Sequence, residues 1–289
     1  MSGRDVTETL VREPKTGQQN VGAPKTLVRD FWEAASCGEV YLAGETRAEQ
    51  LAQQAKTRYH LEPYIHDFAR FQDGHDRDVL EIGVGLGADH FEWAKAGPRS
   101  LTGVDLTPRA VGHTKARFEL LGKRTNLINA DAERLPLADN AFDIVYSWGV
   151  VHCSPDTQQA VREIYRVLRP GGTARVMIYH TYSMVGYMLW LRYGLLAGKP
   201  RRSLADIYAK HLESPGTKAY TMEEAHAMFR QFSRVRTETT ISFGDLLQGA
   251  VGQQHRGWLL SVARLFWPRR LIARLFPSHG LYLLIEAAK

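Results

Sequence analysis

The chain has 289 residues, 44% hydrophobic and 24% charged, enough for one large α/β domain with a full core, or for a core with a cap. Its net charge of +6 is modest and its basic residues are scattered, with no recognisable nucleic-acid module, so nucleic acid is not an expected partner. Two cysteines, Cys37 and Cys153, are too few for a disulfide framework and lack metal-ligand spacing, so a reducing cytoplasm is expected and no metal.

Residues 1–26 are polar, with Pro14, Gly17, Gly22 and Pro24, and read as a flexible arm without the apolar core of a secretory leader. From 27 to 71 the pattern is helical, with Leu51, Ala55, Tyr59 and Leu61 as apolar positions. A core follows over 72–180. Its strands begin at Asp78, Ser100, Thr125, Phe142 and Thr173, with helical stretches between most of them. Strand-helix alternation with nearly continuous apolar strands predicts a parallel sheet covered on both faces. The helix near Asp156 to Arg169 is expected to take Ser154 as N-cap and Pro155 as its first residue, and to end at "RPGG". Residues 181–220 interrupt the alternation as a helical cap insertion. Its apolar run, Ser183 to Gly198, is too short for an ordinary membrane span and contains Arg192. The remainder, 221–289, returns to the core: Thr221 and Glu224 have capping-box spacing, and strands are expected from Arg234 and Leu281 around a basic, aromatic insertion at 243–280.

The stretch "VLEIGVGLGADH", Val79 to His90, carries the first chemical signal. Gly83, Gly85 and Ala88 satisfy the dinucleotide fingerprint, whereas Glu81 ahead of Gly83, Gly85 and Gly87 suggests S-adenosylmethionine. Asp105, about 20 residues on, suits the ribose hydroxyls of either ligand. No Lys or Arg lies between Val79 and Trp93, and the acid at Glu81 would repel a pyrophosphate. No G-K-[ST] follows, so a P-loop is excluded.

Two further segments, "NADAERLPLADNAFDIVYSWGVVHCSPD" and "RVLRPGGTARVMIY", follow in order. From about Leu61 to Tyr179 the chain thereby resembles the class I S-adenosylmethionine-dependent methyltransferases, specifically the ubiquinone/menaquinone-methyltransferase-like branch. The resemblance implies a Rossmann-like, seven-stranded, mostly parallel sheet with helices on both faces and an inserted helical cap. It implies that Glu81, Gly83 and Gly85 hold the methionine side of the donor and Asp105 the ribose; Gly87 and Leu106 also count as cofactor-binding, with helix-strand packing the alternative for Gly87 and adenine-flanking packing the reading of Leu106. Asp131 would accept from the adenine amino group, the Ala132 amide would meet a ring nitrogen, and Ser147 and Trp148 would lie beside the methionine or sulfonium.

A methyltransferase needs a base only when the nucleophile must lose a proton, and His152 is the candidate, standing where many relatives carry His-His and this chain has His152-Cys153. Tyr179, His180 and Tyr182 are candidates for the acceptor site. Phe31, Trp32 and Tyr41 suit a lid over the donor or a helix fixed on the core. The arginines and aromatics from Arg256 to Phe276 suit an interfacial helix pair on anionic lipid, or a cap of snorkelling arginines over an apolar pocket. The expected function is methyl transfer from S-adenosyl-L-methionine to a small, apolar or lipid-like molecule. The competing readings are an NAD(P)-dependent oxidoreductase and a non-catalytic adenosyl-ligand-binding module that docks on membranes.

Overall fold

The computed structural model describes residues 23–248 and 267–289. Three helices precede the sheet: α1 (Lys25–Ala34), α2 (Arg47–Leu61) and α3 (Tyr64–Ala69). Then come β1 (Asp78–Ile82), α4 (Ala88–Lys95), β2 (Ser100–Asp105), α5 (Pro108–Leu120), β3 (Asn126–Asn129), β4 (Phe142–Trp148), α6 (Thr157–Val167) and β5 (Leu168–Tyr179). The remaining elements are α7 (Met184–Trp190), α8 (Leu204–His211), α9 (Met222–Met228), β6 (Arg234–Thr240), α10 (Arg269–Leu275) and β7 (Tyr282–Ala288). The strands form one sheet in the order β3-β2-β1-β4-β5-β7-β6, parallel except for β7, which is antiparallel to both neighbours. The fold is the expected Rossmann-like α/β architecture.

Strand side chains alternate between faces, so each strand feeds two cores. On one face Val79, Tyr146, Trp148, Met177 and Tyr179 pack with Ile65 of α3, Trp93 of α4, Phe118 of α5 and Ile207 and Tyr208 of α8. On the other, Leu80, Ile82, Val145, Val176 and Ile285 pack with Val161 and Ile164 of α6 and Ala225 of α9. The cap insertion therefore buries its apolar stripe on the same face as the N-terminal helices. Among the described residues no helix is long and apolar enough to cross a membrane.

Two local expectations change. Asp156, not Ser154, caps α6, accepting from the Gln159 amide at 2.9 Å, because the Ser154 hydroxyl is engaged by Glu133. "RPGG" belongs to β5 rather than ending a helix. Leu168 already pairs with Phe142, and the register slips before Ile144. A Cβ at Gly172 would stand 2.9 Å from the Arg169 carbonyl and 3.0 Å from that of Asp143, so only glycine lets the strands approach there. The capping box of Thr221 and Glu224 is present at α9. Residues 1–22 of the expected arm and residues 249–266 of the 243–280 insertion, including Arg256, Trp258, Arg264 and Phe266, lie outside the described residues, and the last two arm positions, Lys25 and Thr26, begin α1 instead.

Candidate functional site: the glycine loop and the aromatic chamber beside it

The glycine loop leaves β1 with Gly83, Gly85 and Gly87 all at positive φ, +86°, +51° and +74°. Their surroundings differ. A Cβ at Gly83 would lie 2.0 Å from Val150, and one at Gly87 2.9 Å from Thr114, but none of the surrounding atoms lies within 4 Å of one at Gly85. Gly83 and Gly87 are thus required by packing, while Gly85 faces open space where a ligand can approach the backbone. The loop is tied from α5: Thr114 donates its hydroxyl to the Gly85 carbonyl at 3.1 Å, and Arg117 donates to the Leu86 carbonyl at 2.7 Å. Asp105, at the end of β2, accepts from the Gly85 amide at 3.2 Å and from the Thr107 amide and hydroxyl at 3.0 and 2.9 Å. Burial raises its pKa, with these hydrogen bonds opposing the shift.

Glu81 lies differently from its expected role. It is buried and engaged with His90 Nδ1 at 2.9 Å, and His90 Nε2 meets the Thr125 hydroxyl at 2.7 Å. That hydroxyl donates to the Leu101 carbonyl, so Nε2 must carry the hydrogen. Burial pushes Glu81 well up and His90 down to about 3, a neutral pair in which the acid O–H donates to Nδ1. Glu81 thus sits with His90 beneath the loop, and burial favours the uncharged form of each.

At the ends of β2 and β3 a pocket of about 480 Å³ is lined by Leu106, Pro108, Asn129, Ala130 and Asp131 on one side and by Arg29, Asp30 and Glu33 of α1 on the other. An adenosyl group fits this arrangement: open backbone at Gly85, a buried acid at Asp105, an apolar flank at Leu106 and an acid at Asp131. Asp131 is held by Lys25, which also reaches Glu133 at 2.5 Å. Helix α1 thus closes the pocket's outer wall, with the half-buried Trp32 edge-on to Phe31. Ala132 packs against the α6-side core.

Ser147 and Trp148, adjacent on β4, face opposite sides of the sheet. Ser147 donates to the Ile82 carbonyl at 3.1 Å, under the loop. Trp148 joins an aromatic group with Tyr64, Phe68, Tyr146 and Tyr282, and it and Tyr282 donate to Glu62. Past β4, Val150 presses on Gly83, and two residues on His152 is fully buried with neither ring nitrogen hydrogen-bonded. Its ring lies 4.0 Å from that of Tyr179, whose hydroxyl donates to Glu213 at 2.8 Å. Burial lowers the His152 pKa to about 3, with nearby Lys218 adding to the shift, so the imidazole is neutral at ordinary pH. Burial raises Glu213 to about 7. His152, Cys153 and Glu213 each bring a ligand atom within 4.8 Å of the others. Tyr179 already hydrogen-bonds Glu213, and burial pushes the Cys153 thiol up to about 12. His180 is buried and fixed by its amide to the Leu281 carbonyl at 2.7 Å, Tyr41 is half-buried, and Tyr182 is exposed, outside this group.

Glu213, Glu62, Lys25 and the His90 brace were not anticipated. Glu213 sits in the cap insertion with no motif around it. The one available signal was an isolated acid in "HLESPG", an apolar and turn-rich stretch.

Residues 80–176 match the model of a family described as "Methyltransferase domain". A Mycobacterium tuberculosis phthiotriol/phenolphthiotriol dimycocerosates methyltransferase is 34% identical over 122 residues, 42% of this chain and 44% of that protein. The chain thus spans under half the length of the curated relatives it matches. Among solved structures, a chain of the complex between the Haloferax volcanii Trm112 methyltransferase activator and its methyltransferase partner aligns at TM-score 0.57 with 19% identity, covering 90% of this chain and 97% of that one. The [4+2]-cyclase SpnF aligns at 0.52 with 16% identity, covering 91% and 92%, so the shape alone does not specify the reaction. The sequence match narrows the family: residues 80–176 match a methyltransferase domain of the class I, S-adenosylmethionine-dependent type.

Proposed function

We propose that this chain transfers a methyl group from S-adenosylmethionine to a hydroxyl of an apolar, lipid-like small molecule. When bound, the donor supplies a methyl carbon made electrophilic by positive sulfur. The open backbone at Gly85, Asp105 and the Leu106–Asp131 pocket would hold its methionine, ribose and adenine portions respectively. The aromatic surfaces of Trp148, Tyr179 and Tyr282 would exclude water and align an apolar acceptor. The relative's printed name, which concerns dimycocerosates, supports a lipid-like acceptor without identifying it.

The observation that carries the assignment to a hydroxyl is the Tyr179–Glu213 hydrogen bond against the His152 ring, with Glu213 raised to about 7. A base matched to neutral pH is useful only when the nucleophile has a proton to lose. His152, lowered to about 3, is a poor proton acceptor by comparison. We therefore assign proton acceptance to Glu213 and give His152 the task of setting the Tyr179 ring. The test is incubation with methyl-labelled donor and a lipid extract, followed by mass spectrometry of labelled products. Glu213→Gln should lower turnover by roughly 10²-fold while donor affinity holds. Labelled product formed equally fast by Glu213→Gln would remove the base, and donor binding without any product would remove the acceptor class.

A further inference from the structure

Among the described residues, most of the exposed large apolar side chains concentrate on two segments. Tyr187, Leu191 and Leu195 recur every four residues along α7 and the helical turn that continues it, opposite the buried Gly186 and Leu189. Leu271 and Leu275 are likewise four apart on α10, whose inward residue is Ile272, and exposed Phe276 follows just beyond its end. The two segments adjoin: His279 meets the Tyr187 ring at 5.9 Å and the Phe276 ring at 5.6 Å. Leu191 and Leu195 are each 47% exposed and Leu275 59%, far from the pattern of a core helix.

The charge around these leucines has one sign. Residues 182–201 and 267–279 contain no Asp or Glu. They carry Arg192, Lys199 and Arg201 on the first segment and Arg270 and Arg274 on the second, all exposed. Among the described residues none of these five is in an ion pair, whereas Arg202, just beyond, is paired with Asp206. Exposed leucines flanked by unpaired cations match an anionic lipid surface, into which the apolar stems sink while guanidinium groups meet headgroup phosphates. A second protein copy would bring the same cations face to face. The patch also borders the ends of β5 and β7, where Tyr179 pairs with Tyr282.

From this we infer that the α7–α10 face docks the protein on anionic bilayers as a peripheral, non-spanning contact. The inference stands apart from the acceptor assignment, since it concerns a surface and not the reaction. The test is flotation of the full chain with phosphatidylcholine vesicles, with and without phosphatidylglycerol, at low and high salt. The chain should float with the anionic vesicles, less so at high salt, and remain unbound by neutral ones. Arg270→Ala with Arg274→Ala should lower partitioning by about 10- to 30-fold, and Leu191→Glu with Leu275→Glu should abolish it, with circular dichroism and donor binding unchanged in both. Absence of flotation, equal flotation with neutral vesicles, or a concentration-dependent dimer broken by the leucine variants in a chain that does not float would each overturn the inference.

Discussion

Arg58 and Asp89 meet in a two-pronged ion pair, Nε to Oδ1 at 2.8 Å and Nη2 to Oδ2 at 2.6 Å, that locks α2 onto the first turn of α4. Tyr59 and Tyr146 donate to the same carboxylate at 3.0 and 2.9 Å. This arrangement makes α2 a fixed part of the core and leaves α1 as the outer wall of the pocket at Leu106 and Asp131. Arg58→Met would strand a buried carboxylate and should cost about 3 kcal/mol of stability. Arg58→Met with Asp89→Leu should recover much of that loss. Denaturant unfolding of the two variants measures the difference, and an equally unstable double variant would contradict it.

The three glycines of the loop should respond differently to alanine. Gly83→Ala drives a methyl into Val150 at positive φ and should destabilise the protein by more than about 2 kcal/mol. Gly85→Ala meets no neighbour, so its stability cost should stay near the ~1–2 kcal/mol of the left-handed backbone. Donor affinity, read by calorimetry, should nevertheless fall, because the methyl occupies the donor's approach. Unchanged affinity in Gly85→Ala would move the donor off this loop.

Asp105 ties the loop and is also the proposed ribose partner. Asp105→Asn presents an amide N–H to the Gly85 N–H, so it should weaken donor binding by about 1.5–3 kcal/mol and lower the melting temperature slightly. An unchanged dissociation constant would show that the ribose lies elsewhere.

Buried histidines set the acid limit of the fold. His90 and His152 both fall from the ordinary 6.5 to about 3, so the native state binds fewer protons than the unfolded chain between these values. Their neutral burial stabilises fully above pH 6.5, and that stability is lost as pH falls toward 3, at up to ~1.4 kcal/mol per pH unit for each. Glu213 works in the opposite sense: raised from 4.5 to about 7, its contribution is complete below 4.5 and is lost as pH rises through 7. Melting temperatures from pH 4 to 8 should show a shallower acid slope for His152→Phe and a shallower slope between pH 5 and 7 for Glu213→Gln. Slopes identical to the parent would exclude these groups.

The strands and the order of motifs were legible because continuous apolar runs and glycine punctuation are local. Asp105, Leu106 and Asp131 also lie beside the predicted donor region, since strand ends fix them. What escaped depended on distant partners. The partner of Glu81 was not foreseen because His90, nine residues on, folds back onto it. Glu213 reaches the site only because the cap insertion packs on the face carrying Tyr179. Tyr182 was expected in the site by its nearness to β5 in sequence, but the chain has already turned outward there.

The seventh strand has a consequence for how the protein is made. β7 fills the gap between β5 and β6, pairing with residues more than a hundred positions earlier in the sequence. Until it arrives, the apolar edge from Thr173 to Tyr179 has no partner on that side, and an unpaired, flat, hydrophobic edge is an invitation to pair with another chain. Such distant pairing is also slow to form. Production of this protein should therefore be governed by how long that edge stays open during synthesis, so cooler expression or chaperones that shield strand edges should raise the yield of soluble protein more than any change at the catalytic end.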